Sequence, residues 1–211
     1  MESSNVQMDL ASLEKTYDRY SSFYDLIFGA FFSPGRKKAI ANLQFDDGAS
    51  VLEVGVGTGA SLNLYPRHVK ITGVDISEDM LRLSEKRAQK ACRPVDLYTM
   101  NAENLEFPDN SFSHVVAMYV VSVSPDPAMI VAEMMRVCRP GGKVVVLNHF
   151  SDDDSLIGKF EKALTPLSSK LGFKPYFPLN KFRQECDAIA FEELMKTNLL
   201  GYWSILKGTK S

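Results

Sequence analysis

The chain has 211 residues, 45% of them hydrophobic and 24% charged, with a formal net charge of −2. These values fit one ordinary globular domain over residues 1–211. The charge excludes a global attraction to nucleic acid or an anionic membrane, so any such contact must be local.

Residues 8–32 read as a helix, with Tyr17, Tyr20, Tyr24, Ile27 and Phe31 at three- and four-residue steps. Ser33-Pro34 reads as the N-cap and first residue of a second helix reaching about Leu43. Together they form an expected helical cap over residues 1–45. A short apolar strand, residues 50–54, then runs into the turn Gly55-Val56-Gly57-Thr58-Gly59, with a helix expected to open near Gly59. Strand 70–75 ends in Asp75. Ser77 is placed to cap a helix to about Ala91. Strands are expected at 95–100 and 112–119, the latter a nearly continuous apolar run suited to a buried parallel position. Pro127 begins a helix to Val137, Arg139-Pro140-Gly141-Gly142 breaks it, and Lys143–Leu147 is a fifth strand. An amphipathic stretch carrying Leu156, Phe160, Leu164, Leu167 and Leu171 follows. Last come two apolar segments, Ile189–Met195 and Gly201–Leu206.

Strands alternating with helices predict right-handed βαβ units and a parallel sheet covered on both faces. The two closing strands have no helix between them and predict an antiparallel hairpin at the sheet edge. The expected class is therefore α/β and Rossmann-like. Cys92, Cys138 and Cys186 are widely spaced without a C-x-x-C pair, so neither a zinc site nor a disulfide framework is expected. Reduced thiols in a cytoplasmic protein are the simple reading. Met1–Asn5 lacks the start of a signal peptide, and no apolar stretch is long enough to span a bilayer.

The glycine turn carries the chemistry. Such a turn lets backbone approach a ligand closely. Asp75 follows Gly55 by about 20 residues, the spacing at which an acid accepts hydrogen bonds from a ribose diol. An adenosine-containing cofactor is the expectation. Gly55, Gly57 and Ala60 also satisfy a dinucleotide fingerprint. Glu53, however, would repel a pyrophosphate and suits a cationic ligand such as an amino-acid ammonium.

Glu53-Val54-Gly55-Val56-Gly57-Thr58-Gly59 resembles the first motif of class I S-adenosylmethionine methyltransferases. Asp75-Ile76-Ser77-Glu78-Asp79-Met80 resembles the second-strand motif, and Asn101-Ala102-Glu103 the third-strand turn that holds adenine. Phe107–Phe112 and Arg139–Lys143 resemble the approaches to strands four and five. The resemblance covers residues 51–147 and implies S-adenosylmethionine as cofactor on a seven-stranded sheet. It implies cofactor contacts at Tyr17, Glu53, Gly55, Gly57, Thr58, Gly59, Asp75, Ile76, Met80, Asn101, Ala102 and Glu103.

A narrower resemblance rests on Tyr17–Tyr20, Tyr24–Gly29, Val121–Pro127 and Leu147–Phe150. These segments are similar to soluble bacterial phospholipid N-methyltransferases, which methylate phosphatidylethanolamine toward phosphatidylcholine. The resemblance implies a phospholipid substrate reached peripherally and transiently at an anionic membrane surface, with no metal and no nucleic acid. A small-molecule or quinone-precursor substrate is the alternative.

Tyr24, Tyr119, Asn148 and His149 are the candidate acceptor-side residues. His149 is read either as structural or as substrate-facing, and Glu53 as a cofactor contact, a structural acid, or both. Asn101–Glu103 is an adenine contact or an ordinary loop. The aromatic run Tyr17–Phe32 is either core packing or a lid. In the lid reading, outward aromatics with Lys15, Arg19, Arg36, Lys37 and Lys38 meet anionic head groups. Asp152-Asp153-Asp154 reads as a helix N-terminal cluster rather than a metal site.

Overall fold

The computed structural model describes residues 32–151, 176–186, 189–197 and 202–211. The expectations for Tyr17, Tyr24, the rest of the aromatic run before Phe32, Asp152–Asp154 and the amphipathic stretch lie outside them. Residues 32–41 are helical (α1). Seven strands follow: β1 Ser50–Val54, β2 Lys70–Asp75, β3 Asp96–Thr99, β4 Phe112–Met118, β5 Cys138–His149, β6 Phe191–Thr197 and β7 Trp203–Thr209. Helices α2 (Glu78–Lys90), α3 (Pro127–Val137) and α4 (Leu179–Glu185) lie between them.

The sheet order is β3-β2-β1-β4-β5-β7-β6. The first five strands are parallel, and β7 is antiparallel to both β5 and β6. This is the expected Rossmann-like sheet with a C-terminal antiparallel hairpin. Alternation along each buried strand sends side chains to two cores. Leu52, Val54, Val115, Ala117, Val144 and Val146 pack on one face with Ile130 and Met134 of α3 and Phe182 of α4. Val51, Val116, Val145 and Leu147 pack on the other with Ala39, Ile40 and Leu43 beside Leu81 and Ala88 of α2.

Two helix starts obey local chemistry. The Ser77 hydroxyl accepts from the Met80 N–H, and Asp126 accepts from the Met129 N–H ahead of Pro127. Other expectations are corrected. No α-helix opens at Gly59; a single 3-10 turn, Leu62–Leu64, stands there. Tyr65 precedes Pro66, which disfavours helical backbone, and Tyr65 is extended with ψ 144°. Ser33 lies inside the helical segment rather than capping it, since Phe32 is already helical; the Phe32 ring packs on Tyr119 and Trp203. Strand β5 begins at Cys138 and includes the glycine break. The β4–β5 register jumps there, and Gly141 takes φ +77°. The Gly141 N–H donates to the Lys210 carbonyl and the Lys210 N–H to the Gly142 carbonyl, so the C-terminal strand's end covers the break. The hairpin strands sit about two residues later than expected.

No helix of the described residues is long and apolar enough to cross a membrane. Strand β7 is wedged between β5 and β6, and the Leu206 side chain is fully buried. Leu206→Ala should cost about 2–5 kcal/mol in urea unfolding, through lost burial and the cavity left behind. A loss below about 1 kcal/mol would show that β7 is not part of the cooperative core.

Candidate active site

One cavity opens at the carboxyl ends of the central strands. Its walls come from the β1 turn, the end of β2, the segment after β3 and the loop after β4. The sheet order places it where the chain switches from the β1–β2–β3 half to the β4–β5 half, the point at which open α/β sheets bind ligands.

Asp75 organises one wall. One carboxylate oxygen accepts the Gly57 N–H at 2.8 Å and the other accepts the Ser77 N–H at 3.0 Å. Gly57 has φ +54°, and nothing lies within 4 Å of where a Cβ would stand. Its backbone is thus bare toward the cavity, as a closely approaching ligand requires. Gly59 differs: a Cβ there would meet Ser84 at 2.5 Å and Leu62 at 2.8 Å. It permits close packing of α2 and does not line the cavity. Ile76, Met80, Ala102 and Met100 make an apolar stretch of wall, with Asn101 and Thr58 beside it. Glu103 also lines the cavity, but its carboxylate accepts the Ser124 hydroxyl at 2.6 Å and the Asp126 N–H at 3.1 Å. Those bonds tie the loop after β4 to the segment after β3.

Glu53 lies at the buried end. Ser61 Oγ donates to one carboxylate oxygen and Tyr65 Oη to the other, at 2.9 Å. Burial pushes the carboxyl up from 4.5 to about 7, against the opposing effects of the Ser61 and Tyr65 hydrogen bonds and the Arg36 charge. Burial, and then the charge of Glu53, hold the Tyr65 phenol well above its ordinary range.

Tyr119 lines the cavity beside Arg36. It has φ +66°, and its hydroxyl donates to the Phe32 carbonyl at 3.1 Å. Arg36, grouped by sequence with membrane-facing cations, instead lines this cavity, while Lys37 and Lys38 are exposed. Asn148 and His149 do not line it. Asn148 accepts from the Ser122 hydroxyl and donates to the His149 carbonyl. The His149 ring stacks on Tyr202 at 5.8 Å, Tyr202 meets Trp203 at 4.6 Å, and Trp203 meets Tyr119 at 6.4 Å. Of the three described candidate acceptor residues, Tyr119 lines the cavity and Asn148 and His149 do not; Tyr24 lies outside the described residues. Trp203 and Arg36 carried a weak local signal. Trp203 is the chain's single tryptophan, and its position opposite His149 emerges only from strand register. No cluster of metal-ligating side chains occurs among the described residues.

Comparisons with known proteins accord with this site. The profile of the methyltransferase-domain family matches residues 52–146. A phosphatidylethanolamine N-methyltransferase of Cereibacter sphaeroides is 43% identical, covering 82% of this chain and 86% of that one. A demethylmenaquinone methyltransferase of Bacillus licheniformis is 29% identical, covering 82% and 78%. Among solved structures, the [4+2]-cyclase SpnF superposes with a TM-score of 0.76 at 15% identity, covering 94% of this chain and 95% of that one. A Haemonchus contortus N-methyltransferase solved with phosphomonomethylethanolamine and S-adenosylhomocysteine superposes with a TM-score of 0.73 at 20% identity, covering 94% and 59%. The chain belongs to the class I S-adenosylmethionine-dependent methyltransferases. Among its relatives, the similarity to the phosphatidylethanolamine N-methyltransferase extends over most of both chains.

Two tests address the site. Asp75→Asn removes the charged acceptor and should weaken calorimetric binding of S-adenosylhomocysteine by roughly tenfold or more. Unchanged affinity at a matched melting temperature would contradict the assignment. The second concerns Glu53, whose folded pKa is raised. Protonation then favours the folded state, and that stability is present below about 4.5 and lost as pH rises through about 7. Relative to Glu53→Gln, the wild type should lose roughly 3 kcal/mol across that window. Parallel pH–stability curves for the two proteins would refute it.

Proposed function

We propose that this chain N-methylates phosphatidylethanolamine and its mono- and dimethylated forms toward phosphatidylcholine. The 43% identity to the phosphatidylethanolamine N-methyltransferase, over most of both chains, carries this reading. The lower identity to a demethylmenaquinone methyltransferase supports the second reading, a quinone precursor as acceptor.

The cavity residues fit the cofactor. Asp75 is the group for ribose hydroxyls, the bare Gly57 backbone admits close approach, and the apolar stretch from Ile76 to Ala102 suits adenine. Glu53 suits the ammonium of an amino-acid end. Bound there, S-adenosylmethionine supplies a methyl group activated by its sulfonium. The protein's part is alignment and exclusion of water. An acceptor ammonium must shed its proton before it attacks, and burial against Met118, Val120 and Tyr119 lowers its pKa. The Tyr119 ring, which already carries the Arg36 guanidinium 5.3 Å from its centroid, lines the acceptor end as an apolar wall. Tyr24 would join it from the preceding segment. Asn148 and His149 would act from behind Tyr202 and Trp203 as positioning groups.

A lipid acceptor requires contact with a membrane surface. Lys37 and Lys38 are exposed on α1 and supply local positive charge. The deciding experiment incubates the protein with methyl-labelled S-adenosylmethionine and phosphatidylethanolamine vesicles, with and without anionic lipid, at low and high salt. Label should enter the lipid, faster with anionic lipid, and high salt should remove that advantage. Label entering only a quinone precursor would replace the lipid reading with the second one. Lipid labelling indifferent to charge and salt would remove the electrostatic part alone.

A further inference from the structure

Arg36 is the one basic side chain lining the cavity among the described residues. It rises from α1 with its guanidinium carbon 5.3 Å from the Tyr119 ring centroid and 5.9 Å from that of Phe32. The aromatic rings hold its position through cation–π attraction. Its Nη1 is buried, yet has no hydrogen-bond partner among the described residues. The acids that share the cavity do not supply one. Glu53 is held by Ser61 and Tyr65, Asp75 by the Gly57 and Ser77 N–H groups, and Glu103 by Ser124 and Asp126. A buried guanidinium N–H with no acceptor is costly, and buried polar groups in native proteins are nearly always paired.

We infer that Arg36 is an oxyanion anchor inside the cavity, held by Tyr119 and Phe32 and presenting its Nη1 to a carboxylate or phosphodiester of a bound ligand. Guanidinium geometry matches both groups, and a charge-assisted bond of this kind is among the stronger polar contacts. Glu53 lies close enough for the Arg36 charge to act on it, so the cavity carries an acid and a base near one another. That pairing complements a zwitterion. The ligand oxyanion has two sources: the carboxylate at the amino-acid end of the cofactor, or the phosphodiester of a phosphoethanolamine head group. The second source rests on the lipid reading above; the first does not.

Arg36→Gln and Arg36→Lys separate the sources. Calorimetry compares S-adenosylhomocysteine with its decarboxylated analogue, and steady-state methyl transfer measures KM for phosphatidylethanolamine vesicles. If the cofactor carboxylate is the partner, R36Q weakens S-adenosylhomocysteine about tenfold or more and leaves the decarboxylated analogue unchanged. If the phosphodiester is the partner, R36Q leaves both affinities unchanged and raises KM for the vesicles about tenfold or more, with a smaller change in kcat. R36K should fall between wild type and R36Q in whichever quantity moves, since it keeps the charge without the planar fork. Values for every probe within about twofold of wild type, at matched melting temperature, would overturn the anchor. Should R36Q fail to fold, R36K is read in the same way, and unchanged values there overturn it equally. A wild-type protein that does not methylate the lipid at all defeats the lipid reading while the calorimetric comparison still decides the role of Arg36.

Discussion

Two backbone N–H groups from different turns converge on the Asp75 carboxylate, one from Gly57 after β1 and one from Ser77 at the start of α2. Around that carboxylate the Val56 N–H donates to the Val74 carbonyl, and the Met100 N–H donates to the Asp75 carbonyl. The carboxylate thereby ties the β1 turn to the start of α2, and the backbone bonds beside it hold the ends of β1, β2 and β3 together. The turn after β1 takes the unusual backbone at Gly57, α2 starts where it does, and the segment after β3 enters the cavity at Asn101. Hydrogen bonds to an ionised carboxylate are stronger than neutral ones, which makes this an effective place to fix a loop. The same carboxylate lines the cavity, so under the proposed cofactor reading the structural and ligand-binding demands would fall on one side chain.

Glu53 sets the electrostatics at the other end. A carboxyl so buried is costly to ionise, and the two hydroxyl donors offset only part of that cost. A cationic ligand group beside it would favour the charged form. The Arg36 charge partly offsets the cost of ionising it. The cavity is therefore mostly apolar in its lining yet carries an acid and a base at fixed positions, an arrangement suited to orienting a charged ligand group and excluding water.

The parts of the fold governed by local chemistry were legible in the sequence. Apolar runs bounded by turn residues marked the parallel strands, Ser77 and Pro127 marked helix starts, and the absence of a helix before the last strand marked the hairpin. The glycines and Asp75 were legible because their spacing follows from backbone geometry. What escaped depends on contacts between distant residues. The covering of Gly141 and Gly142 by Lys210 extends β5 back to Cys138, and no local pattern announces it. Glu103 reads as an adenine contact or part of an ordinary loop, and the bonds of its carboxylate to Ser124 and Asp126 cannot be read locally. His149 reads as structural or substrate-facing, because only the β5–β7 register brings Trp203 alongside and Tyr202 onto its ring. Arg36 read as a surface cation on a basic stretch, because a helical pattern does not reveal that Tyr119 and Phe32 will draw it inward.

The fold itself supports more than one chemistry, as the superposition on a [4+2]-cyclase illustrates, so the reaction must be argued from the cavity and from sequence relatives. The central physical claim is that one ligand spans this cavity from the Asp75 wall to the buried acid at Glu53. A crystal structure of the wild-type protein with S-adenosylhomocysteine tests it directly. Ribose hydroxyls are expected on the Asp75 carboxylate, adenine between Ile76 and Ala102, and the amino-acid end beside Glu53. A ligand bound in the reverse direction, or outside this cavity with Asp75 bonded only to backbone, would contradict it.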